Sequence, residues 1–307
     1  MPKTAFIFPG QGSQYIGMGK DLYQNFTVAR EVFEEGSDAI GLDLKKMSFE
    51  GPEDLLNLTA NTQPAILTSS IAALEVLKSE TGVDADCLAG HSLGEYSALV
   101  HSGVFSFTDA VKIVRRRGEL MQEAVPAGTG AMAAILGMEK DDIAEICNDA
   151  SSVDMVSPAN FNSPGQIVVA GSKKGVEAAV ELAKERGAKR AILLPVSVPS
   201  HCSLMENAGE ALRQYLEELP VGDVGIPVVS NVEAKPYPAK QDVIDLLVRQ
   251  LSSPVKWDDS VLCLKMMGIE TVIEVGPGKV LSGLVKRIDR ALNLLNVEDS
   301  ASLKKIQ

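Results

Sequence analysis

The sequence predicts an α/β fold with a mostly parallel sheet, into which a small βαββαβ domain is inserted. Two patterns and one length argument lead there. Strand-like and helix-like stretches alternate almost throughout, the arrangement that builds parallel sheets through crossover helices. From about Gly128 to Leu194 the order becomes strand, helix, strand, strand, helix, strand, which is ferredoxin-like. At 307 residues, the chain lies at the upper edge of what one hydrophobic core serves, so a large domain with a smaller insert is expected.

Apolar stretches rich in β-formers at Thr4–Phe8, Asp86–Ala89, Pro227–Ser230 and Glu270–Val275 read as buried strands of the large domain. Helical periodicity marks Thr62–Glu80, Phe107–Ala124, Ala239–Leu251 and Asp258–Met267. Within the insert, strands are expected at Ala131–Leu136, Asp154–Ala159, Gln166–Ala170 and Lys189–Leu193, with helices at Lys140–Asn148 and Lys174–Arg186. Turn-rich Val125–Gly128 and Pro195–Pro199 bracket it. The expected division is residues 1–127 and 199–307 for the large domain and 128–198 for the small one, with the site in the cleft between them.

Composition excludes several classes. Hydrophobic residues at 45% and charged residues at 23% make an ordinary globular balance rather than a disordered chain. The absence of any run of 18 apolar residues argues against a membrane span. The amino-terminal stretch lacks the apolar region and cleavage site of a secretory signal, so a cytoplasmic protein is expected. Cys87, Cys147, Cys202 and Cys263 form no C-x-x-C pair, and there are only three histidines, so neither a disulfide framework nor a metal site is expected. A net charge of −12 argues against nucleic acid as a partner.

Gly90-His91-Ser92-Leu93-Gly94 matches G-x-S-x-G, between the apolar run Cys87–Ala89 and the helix-compatible Glu95–His101. Such a strand-to-helix elbow needs glycine beside the serine because backbone approaches closely there. It also sets the serine oxygen at a helix amino terminus, which favours developing negative charge. An ordinary Gly/Ser helix cap is the alternative reading. A serine nucleophile needs a base. His91 is its neighbour in a sharp turn and points elsewhere, and His101 lies roughly 13 Å along the helix. His201, in Val198-Pro199-Ser200-His201-Cys202 at the expected start of a helix, is what remains, with Cys202 beside it structural.

Phe8-Pro9-Gly10-Gln11-Gly12-Ser13-Gln14 follows the first strand. It has neither dinucleotide spacing nor a P-loop lysine. It is either a simple turn or the second oxyanion donor, with Gln11 N–H joining Leu93 N–H. In Arg115-Arg116-Arg117, helical geometry turns Arg115 and Arg116 outward and places Arg117 within the stripe of Ile113, Val114, Leu120 and Met121. An inward guanidinium keeps its charge and needs a carboxylate, from the protein or from a substrate. On the residues alone, the structural salt bridge is the plainer reading.

These motifs together resemble the standalone bacterial malonyl-CoA:acyl carrier protein transacylases of fatty acid synthesis. F-P-G-Q-G-S-Q at Phe8–Gln14, G-H-S-L-G-E at Gly90–Glu95 and R-R-R-G at Arg115–Gly118 are similar to family signatures. So are A-N-F-N-S-P-G-Q at Ala159–Gln166, P-S-H at Pro199–His201, Q-L-x-x-P-V-x-W at Gln250–Trp257 and E-V-G-P-G at Glu274–Gly278. The resemblance spans nearly the whole chain in order. It implies a hydrolase-like core with a ferredoxin-like insert, and a ping-pong reaction in which Ser92 is acylated with His201 as base. Gln11 and Leu93 would supply the oxyanion hole, and Arg117 would grip the malonyl carboxylate, reversing the plainer reading of that residue. Gln250 would orient His201 through its main-chain oxygen. Asn160 and Asn162, expected on the loop between two strands of the insert, would contact substrate, with Gln63 and Met121 nearby. Malonyl-CoA and an acyl carrier protein are the implied partners, with no cofactor and no metal. Ser200 beside His201 favours malonyl over methylmalonyl. Lys189-Arg190 and Lys286-Arg287 are candidate basic patches for an acidic carrier, with scattered solvated charge the alternative. Two rivals share parts of this pattern: a serine hydrolase, which has no use for an inward Arg117, and an idle carrier-docking module, which has no use for Ser92 and His201.

Overall fold

A computed structural model describes residues 3–126, 128–196 and 198–306. Among these residues, nine strands fall into two sheets. In chain order they are β1 (Lys3–Phe8), β2 (Cys87–Gly90), β3 (Gly130–Leu136), β4 (Val156–Ser163), β5 (Gln166–Ser172), β6 (Arg190–Leu193), β7 (Val228–Val229), β8 (Ile269–Val275) and β9 (Asn293–Val297). The larger sheet runs β7-β2-β1-β8-β9, all neighbours parallel. Strands β7, β2, β1 and β8 are largely buried on both faces, with the period of two expected of a pleated ribbon. Phe6 and Phe8 join one hydrophobic core, while Ala5 and Ile7 join another on the opposite side. The first core packs helices Thr59–Thr81, Gly94–His101 and Phe107–Ala124; the second packs Trp257–Met266 and Val280–Ile288.

The smaller sheet runs β4-β5-β3-β6, all antiparallel, which is the ferredoxin-like strand order. One face (Ala133, Ile135, Ile167, Val169) is covered by helices Lys140–Ala150 and Lys173–Glu185. The other face (Met132, Val168, Ala170) packs on Cys202, the neighbour of His201, so the insert lies over that end of the large sheet. Two further ties hold it. Phe161 N donates to Val255 O and Val255 N donates to Ala159 O, each at 2.9 Å. Lys140 Nζ lies 2.9 Å from Asp258 and 5.1 Å above the Phe161 ring. The expected boundary between residues 127 and 128 falls on Ala127, outside the described residues.

Two expectations need correction. Asn160 and Asn162 are not on a strand-to-strand loop: β4 runs to Ser163, and the hairpin turn is Pro164-Gly165 alone. Pairing with β5 on one side and with Val255 on the other extends the strand past Ala159, overriding the low strand preference of asparagine. His201 does not begin a regular helix; a short 3₁₀ turn, Ser203–Met205, precedes helix Glu206–Glu217. The E-V-G-P-G stretch has a structural use, since the buried Glu274 carboxylate accepts from Leu281 N (3.0 Å) and Ser282 N (2.7 Å) at the start of helix Val280–Ile288.

Candidate active site

All five strands of the large sheet point the same way, so the loops after β1, β2 and β7 gather at one edge, where open α/β sheets place their sites. Ser92 follows β2 with φ of 51°, a left-handed conformation that a non-glycine residue holds at a cost of about 1–3 kcal/mol. Asn231, just past β7, holds it there. Its Oδ1 accepts from Ser92 N and its Nδ2 donates to Gly90 O, both at 2.6 Å. Glycine is required at position 94 because a Cβ there would stand 2.0 Å from Phe8 O. That contact, with His91 N donating to Phe8 O at 3.1 Å, presses the loop after β1 against the elbow. Replacing Asn231 with alanine strands the buried Gly90 O and the part-buried Ser92 N. The expected result is a loss of about 2–4 kcal/mol of unfolding free energy in urea titration, with a larger proportional loss of activity than of folded protein.

Ser92 Oγ lies 2.8 Å from His201 Nε2, and His201 Nδ1 lies 2.7 Å from the main-chain oxygen of Gln250. That carbonyl accepts the Nδ1 proton, which leaves the Nε2 lone pair facing the serine. Among the described residues no carboxylate bonds the imidazole, so a carbonyl does the orienting. His201 is 2% exposed, and burial first, then the Arg117 charge, push it down to about 3. The ring is therefore uncharged at neutral pH. Of the other histidines, His91 faces Asn162 Oδ1 at 2.9 Å and Trp257, and His101 bonds Asp84. Burial pushes the Cys202 thiol up to about 11, and its Sγ meets Pro199 O.

Arg117 is 1% exposed on helix Phe107–Ala124. Its Nη1 donates to Gln63 Oε1 at 2.7 Å, and its Nη2 donates to Gln250 Oε1 at 3.0 Å and to Ser92 Oγ at 3.2 Å. The guanidinium also lies 5.5 Å from the Tyr96 ring centre. Gly118 permits this, because a Cβ there would meet Ala60 Cα at 2.6 Å, so its absence lets the helix press against the one carrying Gln63. Among the described residues Arg117 forms no ion pair, which overturns the structural salt bridge that its inward position alone suggests. A buried, always-charged fork held by neutral acceptors can take a carboxylate in two parallel bonds. Arg115 is not merely solvated, since it bonds Glu119, Asn61 Oδ1 and Ala60 O.

The remaining site residues are distributed around this center. Gln63 Nε2 meets Met121 Sδ at 3.4 Å, so both flank Arg117. The main-chain N–H groups of Gln11 and Leu93 make no hydrogen bond among the described residues, and the Gln11 side chain bonds Thr59. Asn162 reaches the elbow through His91, whereas Asn160 makes no side-chain hydrogen bond among those residues. Ser200 Oγ touches Met132 Sδ at 3.5 Å. Sequence reasoning missed Asn231, Tyr237 and Glu95. Glu95 had a signal: it is the one acidic residue in helix Gly94–His101 and sits in the first turn, directly after the elbow motif. Asn231 and Tyr237 had none, being brought in from more than 130 residues away.

A serine on a strained elbow, a carbonyl-held imidazole and a buried arginine fork define a serine acyl-transfer site. The chain belongs to the acyl transferase domain family, whose model matches residues 5–304. It is 51% identical over 305 residues to the malonyl CoA-acyl carrier protein transacylase of Bacillus subtilis, covering 99% of this chain and 96% of that one. Among solved structures, it matches an acyl carrier protein S-malonyltransferase from Vibrio cholerae with a TM-score of 0.95 and 50% identity, over 99% of this chain and 100% of the other. It also matches a malonyl-transacylase solved in complex with a type II PKS acyl-carrier protein, with a TM-score of 0.97 and 47% identity, over 99% and 98% of the two chains.

Proposed function

We propose that this chain moves a malonyl group from malonyl-CoA to the phosphopantetheine thiol of an acyl carrier protein, through a malonyl ester on Ser92, supplying the extender unit for fatty acid synthesis in the cytoplasm. The observation that carries the reading is Arg117: a buried guanidinium without an ion-pair partner among the described residues, 3.2 Å from the Ser92 oxygen. A malonyl carboxylate on that fork leaves the thioester carbonyl beside Ser92. Ser92 Oγ attacks it as His201 Nε2 takes the proton, and the oxyanion rests on the Gln11 and Leu93 N–H groups. Collapse breaks the C–S bond, and the proton passes from His201 to the leaving coenzyme A thiolate. The carrier's thiol then attacks the Ser92 ester, giving its proton to His201, which returns it to Ser92. Every bond change involves substrate, Ser92 or His201, so the chemistry calls for no cofactor. In this reading residues 1–127 and 199–307 carry the acyl chemistry and residues 128–198 close over it. Among the described residues no helix is long and apolar enough to cross a membrane.

The carrier would dock at one end of the small sheet. Arg190 pairs with Leu136 and Leu136 pairs with Gln166, two strand spacings or about 10 Å across, and Gln166 bonds Arg287, so Arg190 and Arg287 share one end of the small sheet and both are exposed. Initial rates measured against both substrates test the reading. Parallel double-reciprocal lines are expected of a ping-pong enzyme, and intersecting lines would contradict it. In the same assay, changing Lys189 and Arg190 to glutamate should raise KM for the carrier about tenfold and leave KM for malonyl-CoA unchanged; equal effects would remove the patch from the account.

A further inference from the structure

Arg117 leaves a question of charge. A buried cation without a counter-charge is strongly disfavoured, yet its contacts are all neutral among the described residues. The negative group closest in the hydrogen-bond network is Glu95, 1% exposed and separated from Arg117 by one amide. Gln250 Nε2 donates to Glu95 Oε2 at 2.5 Å and to Ser92 O at 3.0 Å, while Gln250 Oε1 accepts from Arg117 Nη2 at 3.0 Å. Only one amide orientation satisfies this. Flipped, Gln250 would turn its NH₂ against a guanidinium and its oxygen against a carboxylate. Tyr237 Oη and Asn231 N, donating to the two oxygens of Glu95, fix the other end.

We propose that Glu95 is a positioning residue and remote counter-charge for Arg117, acting through the Gln250 amide to keep the guanidinium aimed at Ser92 with its fork open to the substrate carboxylate. The inference rests on the malonyl reading above. A carboxylate in direct contact with Arg117 would compete with substrate, whereas one an amide away offsets the charge without occupying the fork. When malonyl arrives, two carboxylates share one guanidinium, so the substrate binds best while Glu95 is protonated. Burial pushes the Glu95 carboxyl up to about 7, opposed by its hydrogen bonds from Tyr237, Gln250 and Asn231 and by the Arg117 charge. The other groups around it titrate elsewhere. Burial pushes Tyr96 up to about 12 and Tyr237 well above its ordinary value, lowers His91, and pushes His201 down to about 3; Arg117, though lowered, stays cationic.

The test is the ratio of kcat/KM for malonyl-CoA to that for acetyl-CoA, with the carrier as acceptor, from about pH 6 to 9. Titrations common to the two thioesters cancel in the ratio. In wild type it should fall about five- to tenfold as Glu95 ionises beside the malonyl carboxylate. In Glu95→Gln the ratio should be flat, since the new amide can still accept from Gln250 and Asn231 and donate to Tyr237. In Tyr237→Phe, which loses a bond favouring the ionised form, the fall should move to higher pH. Thermal melting of both variants separates these effects from misfolding. A wild-type preference for malonyl that ignores pH, or an equal fall in Glu95→Gln, would overturn the inference alone. No malonyl preference at any pH would remove the malonyl reading, and this inference with it.

Discussion

Replacing Ser92 with alanine is expected to lower carrier acylation by roughly 10⁴-fold or more, with no covalent intermediate formed. The loss is this large because the route needs an oxygen at that position, and what remains is only the benefit of binding two substrates near one another. The comparison with His201→Ala is informative. That variant keeps the oxygen and loses the proton acceptor 2.8 Å away, so it should acylate slowly, about 10²- to 10⁴-fold below wild type. Single-turnover rates with malonyl-CoA separate the two: a slow burst for His201→Ala, none for Ser92→Ala. If Ser92→Ala still gave a burst, the ester would lie elsewhere.

Arg117→Ala should cost about 2–5 kcal/mol of selectivity for a carboxylate-bearing acyl group, about 30- to several thousand-fold in kcat/KM for malonyl-CoA, while acetyl-CoA changes far less. Arg117→Lys should recover little. The site presents Gln63 Oε1 and Gln250 Oε1 to two different guanidinium nitrogens, and an ammonium cannot hold both and still offer a planar fork. Steady-state rates with the two thioesters check this. A parallel loss for both would mean that Arg117 serves the serine itself, through its 3.2 Å contact, rather than the carboxylate.

The parts of this fold that were legible in sequence are those set by local pattern. The βαββαβ order of the insert reads from periodicity because each of its helices carries an apolar stripe, and helix Phe107–Ala124 begins and ends where expected, with Ser106 as its cap. The elbow reads from G-x-S-x-G because steric contact writes glycine into the sequence. What failed to read depends on distant partners. β9, Asn293–Val297, is a short edge strand with one fully buried residue, so its alternation is weak. Asn160 and Asn162 sit among turn-forming residues, and it takes pairing with β5 on one side and with Val255, 95 residues on from Asn160, on the other to make that stretch a strand. The salt bridge suggested for Arg117 failed for a related reason. Periodicity says which way a side chain points, but not that its neighbours will be two glutamines contributed by two other helices.

Intact-protein mass spectrometry after brief exposure to malonyl-CoA and, separately, acetyl-CoA reads the nucleophile and the carboxylate clamp in one experiment, using wild type, Ser92→Ala and Arg117→Ala. One malonyl adduct is expected on wild type, none on Ser92→Ala, much less on Arg117→Ala, and weak acetyl labelling throughout. Acetyl labelling of wild type as strong as malonyl labelling would contradict the assignment of Arg117 as the carboxylate clamp. A malonyl adduct persisting in Ser92→Ala would contradict the nucleophile.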